Sequence, residues 1–97
     1  MFAIAFDLVI KDIIANHPKC AKGGVAPAYD DIEDTLGKFG FKRIQGSLYV
    51  TKSEDMANLF TAIMALKSKS WFPTCVKDIR AFKVEQWSDF TAMIKDS

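Results

Sequence analysis

Ninety-seven residues are enough for one domain with a single modest core. A chain that is 49% hydrophobic and 26% charged is not a disordered segment, and no stretch approaches the roughly 18 apolar residues a membrane-spanning helix needs. A net charge of +1 gives no global electrostatic footprint for nucleic acid, although net charge hides how the charges are distributed.

Phe2 to Leu8 is predicted to be a buried strand. Its even positions (Phe2, Ile4, Phe6, Leu8) are large, and its odd positions (Ala3, Ala5, Asp7) are small or acidic. Strands send alternate side chains to opposite faces, so one face wants a thick core and the other a close neighbour or an open groove. Asp7 then demands a reason, because a bare buried carboxylate costs several kcal/mol. Val9 to Ala15 reads equally as more strand or as a helical turn.

The stretch from Asn16 to Pro27, with two prolines and the pair Gly23-Gly24, is a loop. His17 within it is expected to be an exposed polar residue. Pro27 to Phe39 is predicted to be a helix, with Tyr29, Ile32, Leu36 and Phe39 at helical spacing and Gly40 as its stop. Its acidic cluster of Asp30, Asp31, Glu33 and Asp34 reads as a solvated face favoured by the helix dipole.

Phe41 to Ile44 and Ser47 to Thr51 are two short strands joined at Gln45-Gly46 in a tight hairpin. Lys42 and Arg43 read as solvated hairpin charges. Ser53 to Lys69 is the strongest helix, capped by Ser53, and its stripe of Met56, Leu59, Phe60, Ile63, Met64 and Leu66 is expected to pack into the core. Pro73 breaks the pattern, Thr74 to Val84 is a strand, and Trp87 to Ile94 is a short helical or extended tail.

This order predicts a single α+β domain over residues 1–97 with a ferredoxin-like βαββαβ fold: an antiparallel sheet with two helices on one face, plus a short C-terminal tail element. The first and third strands are its middle pair. With the even residues of strand one, Leu48 and Val50 toward the helices, Asp7, Ser47 and Tyr49 would share the uncovered face. There a carboxylate can bind a divalent cation or act as a general base, and an aromatic can stack on an unpaired base. In the last strand, Lys77 and Arg80 can meet phosphate, or Asp78 and Arg80 can pair across the strand surface.

Cys20 and Cys75 with the single His17 do not make a zinc-ligand pattern and read as reduced thiols. The opening residues lack a basic run ahead of a long apolar one, so no secretory leader is expected. No Ser/His/Asp set, P-loop, GxGxxG or HExxH is present. Eight Phe and two Trp in so short a chain suggest a homodimer.

The blocks Phe2-Ala3-Ile4-Ala5-Phe6-Asp7-Leu8, Ala28-Tyr29-Asp30-Asp31, Gly40-Phe41, Gln45-Gly46-Ser47-Leu48-Tyr49-Val50, Trp71-Phe72, Val76-Lys77-Asp78-Ile79-Arg80-Ala81-Phe82-Lys83-Val84 and Trp87-Ser88-Asp89-Phe90-Thr91 resemble the virulence-associated protein D (VapD) family over nearly the whole chain. The segment Asn16 to Val25 departs from that pattern. The resemblance implies a ferredoxin-like homodimer acting as a small endoribonuclease, structurally similar to the CRISPR-associated adaptation nucleases. It also implies the toxin half of a bacterial toxin–antitoxin pair, with an antitoxin protein as partner. The acidic residue it marks at the end of strand one is Asp7, and it points further to Ser47 and Asp78.

The reading that follows is a cytoplasmic bacterial endoribonuclease acting on single-stranded RNA, with no membrane partner. Asp7, Ser47 and Asp78 are its catalytic residues, and Tyr49, Arg80 and Lys77 contact substrate. Two Asp7 residues approach across the dimer axis, and Asp7 is the candidate ligand for a divalent cation such as Mg²⁺. The rival reading is a non-catalytic dimeric module that binds a partner through the open sheet face.

Overall fold

The computed structural model describes residues 1–96. Strand β1 (Phe2–Leu8) is followed by α1 (Ile10–Asn16), α2 (Ala26–Gly37), β2 (Lys42–Gln45), β3 (Leu48–Thr51), α3 (Met56–Lys67), α4 (Phe72–Cys75), β4 (Val76–Lys83) and α5 (Thr91–Lys95). The strands form one sheet in the order β2-β3-β1-β4, antiparallel at every junction. That is the predicted ferredoxin-like α+β arrangement, with two short helices added.

Val9 to Ala15 resolves as helix α1, because β1 ends at a β-bulge after Asp7 and the Val9 amide then bonds the Cys75 carbonyl at 2.8 Å. The last strand starts at Val76 instead of Thr74, since Pro73 sits comfortably in the first turn of α4. At the end of α2 the chain turns through Gly40 at φ +82°, and the Phe41 amide returns to the Leu36 carbonyl at 3.1 Å. Helix α3 starts later than predicted. Asp55 is its cap, accepting from the Ala57 amide at 2.9 Å, while the Ser53 hydroxyl accepts from the Asp55 amide at 3.1 Å.

The core lies between the sheet and the helices. Phe2, Ile4, Phe6 and Leu8 of β1 meet Ile13, Ala28, Ile32, Leu36, Leu59, Ala62, Leu66 and Phe72. Each Phe, Ile or Leu side chain among them contributes about 1.5–3 kcal/mol of apolar burial. The α3 stripe does not all enter this core. Leu59, Ala62 and Leu66 are buried, but Met56 and Phe60 are 63% and 64% exposed, and Met64 is exposed as well. The stripe is wider than the arc a helix can press against one sheet.

Two further expectations are overturned. His17 is 3% exposed instead of lying in solvent. Tyr49 is 1% exposed and sits opposite Ile4, on the helix side of the sheet. With it the whole of β3 is reversed: Leu48 and Val50, paired with Ala5 and Ala3, lie on the open face. A one-residue shift does this because the Tyr49 ring on one face competes with Leu48 and Val50 on the other, so alternation alone does not choose which face is buried.

The molecule is flat, with extents of 40 × 39 × 20 Å and a radius of gyration of 14.7 Å. A compact domain of this length has a radius near about 12.5 Å.

Candidate functional site: an acidic pair on the open sheet face

Asp7 is the last residue of β1 before the bulge, and it is exposed. Its direct partner in the ladder is Asp78 of β4. Directly paired residues on antiparallel strands have Cα atoms about 4.5–5.5 Å apart, so two carboxylates face each other on the open side. Like charges in that position are destabilising. Arg80 answers them: its Nε donates to Asp78 Oδ2 at 3.0 Å, and its ladder partner is Ala5, two residues before Asp7. Asp7, Asp78 and Arg80 therefore share one exposed face at one end of the two strands. The bulge leaves Lys77 outside the ladder, between Asp78 and Val76, exposed beside the acidic pair.

Ser47 lies in the β2–β3 turn and is half-buried. Its carbonyl accepts from the Phe6 amide at 3.2 Å, which brings the turn to the residue next to Asp7. The expected closeness of Ser47 to the Asp7 end of the sheet is thus present. By alternation, however, Ser47 belongs to the Tyr49 side of β3. Gly46 makes the turn at φ +46°, and Arg43, expected to be a free hairpin charge, donates from Nε to the Gly46 carbonyl at 2.8 Å. Sequence reasoning missed this clamp, although an arginine three residues before a hairpin glycine was its available signal.

Tyr49 does not join the acidic pair. Its ring stacks on Phe6, with centroids 5.9 Å apart at 20°, inside the core. Burial, followed by the negative charge of Glu33, raises its phenol above the ordinary value of 10.0.

The open face around the site is low and apolar. Ala3 is enclosed between Val50 and Phe82, its two ladder partners, while Ala5 is half-buried and Phe82 half-exposed. After β4, the Val84 amide bonds the Met1 carbonyl at 2.8 Å, and the chain then passes to the opposite edge of the sheet. There Trp87, Phe90 and Ile94 line a groove with Ile44, Gln45 and Leu48. Among the described residues, no three of His, Cys, Asp and Glu gather as a metal cluster, and no helix is long and apolar enough to cross a membrane.

No protein-family model matches the chain. Individual proteins do. "Endoribonuclease VapD homolog" of Neisseria gonorrhoeae is 61% identical over 95 residues, covering 98% of this chain and 99% of the relative. "Endoribonuclease VapD" of Haemophilus influenzae is 57% identical over 96 residues, covering 99% and 100%. "Endoribonuclease VapD" of Helicobacter pylori is 41% identical over 97 residues, covering 98% and 99%.

Proposed function

The chain belongs to the VapD family, and from that premise we propose that it is an endoribonuclease cleaving single-stranded RNA at the Asp7–Asp78 end of its open sheet face. The observation that carries this reading is the carboxylate pair facing across β1 and β4 with Arg80 tied to it. A sheet that keeps two like charges opposite one another gives up stability, and such local violations gather at functional sites.

In this reading the Asp7 carboxylate accepts the proton of the attacking hydroxyl while that hydroxyl's oxygen bonds to phosphorus, the bond to the leaving oxygen breaks, and the leaving oxygen takes up a proton from water. Arg80 and Lys77 offset the charge that grows on the phosphate oxygens. Asp78 holds Arg80 toward Asp7, and the Ser47 turn borders the same end. Tyr49 has no part in the site and serves the core.

Two exposed carboxylates on one face suit Mg²⁺, which takes one or two carboxylates and completes its shell with water and substrate phosphate oxygens. Asp7 and Asp78 would hold it, and when bound it would supply charge neutralisation at the phosphate.

A homodimer belongs to the same proposal. The 20 Å thickness, the radius above that of a compact domain and the exposed Phe82 beside small Ala3 suit a second copy laid on the Ala3–Phe82 end of the open face, which leaves Ala5, Asp7 and Asp78 uncovered for RNA. The toxin role that the resemblance implies is tested by growth arrest on induced expression of wild type against Asp7→Asn.

The deciding experiment incubates wild type and Asp7→Asn with a short single-stranded RNA, with and without EDTA. Wild type is expected to cleave at least about a hundredfold faster than a folded variant. Equal rates in the two proteins would hand the site to the rival reading, a non-catalytic dimeric binding module.

A further inference from the structure

The groove between the β2–β3 hairpin and the segment after β4 has no role in the acidic site, yet it lies beside it. Its walls are Ile44 and Leu48 on the hairpin and Trp87, Phe90 and Ile94 on the C-terminal segment, with Gln45 at the edge. Most of these are large apolar side chains left substantially exposed, Trp87 at 45% and Phe90 at 59%. Large apolar residues gathered on one concave wall, with a few polar groups among them, are the usual make-up of a ligand site.

The ladder ties this wall to the acidic pair. Leu48 pairs with Ala5, and Ala5 pairs with Arg80, so the three lie in one row across the open face. Strands are spaced by about 4.8 Å, which puts Arg80 about 10 Å from the groove wall along that row. Asp7 lies two residues further along β1 from Ala5, about 7 Å away on the same face. Gln45 and Leu48 flank Gly46-Ser47, the turn that touches β1 next to Asp7. Between groove and acidic pair the floor of the row is Ala5, too small to block a chain lying across it.

We propose that this groove takes an unpaired nucleobase of the RNA, stacked on Trp87 and Phe90, while a phosphate one or two nucleotides away lies at Asp7, Asp78 and Arg80. The inference rests on the ribonuclease reading and adds to it a substrate subsite. Every base has a π face, so aromatic side chains hold single-stranded RNA with little sequence preference. The Gln45 amide can both donate to and accept from a base edge, and Ser88 and Lys95 stand at the same groove.

Trp87 makes the test direct. The chain has two tryptophans, and Trp71 is 5% exposed in the core. Asp7→Asn protein is titrated with a short single-stranded RNA while tryptophan emission and the anisotropy of a labelled copy of that RNA are followed. Emission is expected to be quenched over the same RNA concentrations at which anisotropy rises, and the quench is expected to disappear in Asp7→Asn carrying Trp87→Phe. In the active protein, Trp87→Ala is expected to raise KM about tenfold to a hundredfold with kcat nearly unchanged, and Trp87→Phe to restore most of the loss. RNA binding without any quench overturns the subsite. So does a Trp87→Ala protein with unchanged KM and weakened self-association, which makes the groove a seat for a second copy. Absence of cleavage by wild type would sink the ribonuclease reading instead, and the quench would still decide the groove.

Discussion

His17 Nε2 lies 2.6 Å from Asp31 Oδ2, joining the loop before α2 to α2 itself. The other ring nitrogen, Nδ1, accepts from the Lys19 amide at 3.0 Å, so the ring proton is assigned to Nε2, which donates to the carboxylate. The ring also meets Trp71 edge-on, with centroids 4.8 Å apart. His17 therefore holds three separate parts of the chain together. His17→Ala is expected to cost about 1–3 kcal/mol in urea or thermal unfolding, and Asp31→Asn, which keeps an acceptor oxygen, clearly less. Both variants are expected to keep wild-type RNA cleavage at temperatures where they remain folded.

The stacked pair of Tyr49 and Phe6 carries a pH prediction. The folded protein holds the Tyr49 phenol above its ordinary 10.0, mainly by burial. The sign follows from linkage: the unfolded chain gives up this proton first, so the stability it supports is fully present below pH 10 and is lost as pH rises through the folded value. Tyr49→Phe is expected to flatten the alkaline fall in Tm measured from neutral pH upward, with little change at pH 7. It is also expected to leave RNA cleavage intact, because the ring lies on the side of the sheet away from Asp7.

How far the sequence could be read depended on whether the two faces of each element differ. In β1 they differ sharply, with Phe2, Ile4 and Phe6 against Ala3, Ala5 and Asp7, and its placement and the exposed face of Asp7 were legible. In β3 the two faces carry Leu48 and Val50 against Tyr49 and Thr51, a weak contrast, and the long-range stacking of Tyr49 on Phe6 decides between them. The facing of Asp78 to Asp7 follows from the continuous register that runs from Phe2 with Lys83 to Asp7 with Asp78, a long-range pairing that no local pattern announces. His17 sits among loop-forming residues, and its burial comes from Trp71 and Asp31, both distant in sequence.

Helix α3 divides its apolar residues between two ridges, which yields opposite expectations for similar substitutions. Leu59 and Leu66 are buried, so Leu59→Ala or Leu66→Ala is expected to cost about 2–5 kcal/mol. Met56 and Phe60 stand in solvent, so Met56→Lys or Phe60→Lys is expected to stay within about 0.5 kcal/mol of wild type. Urea unfolding with an unchanged slope checks both. Equal losses at the two sets would mean that the exposed ridge is covered, as by a second copy.

Arg80 separates structure from chemistry at the acidic pair. Its bond to Asp78 is solvent-exposed, and exposed ion pairs are worth about 0–1 kcal/mol, so Arg80→Ala is expected to leave Tm nearly unchanged. If Arg80 faces the scissile phosphate, the same change is expected to lower kcat/KM by about tenfold to a hundredfold, since a positioned cation at developing charge acts more strongly than its ground-state contacts suggest. Arg80→Lys keeps the charge but loses the planar fork that pairs with a carboxylate and a phosphate, and is expected to recover only part of the rate. Raising ionic strength should weaken substrate binding in wild type more than in Arg80→Ala, because one phosphate contact has been removed. Parallel salt dependence in the two proteins, with equal rates, would leave Arg80 as a partner for Asp78 alone and move the phosphate-binding role to Lys77.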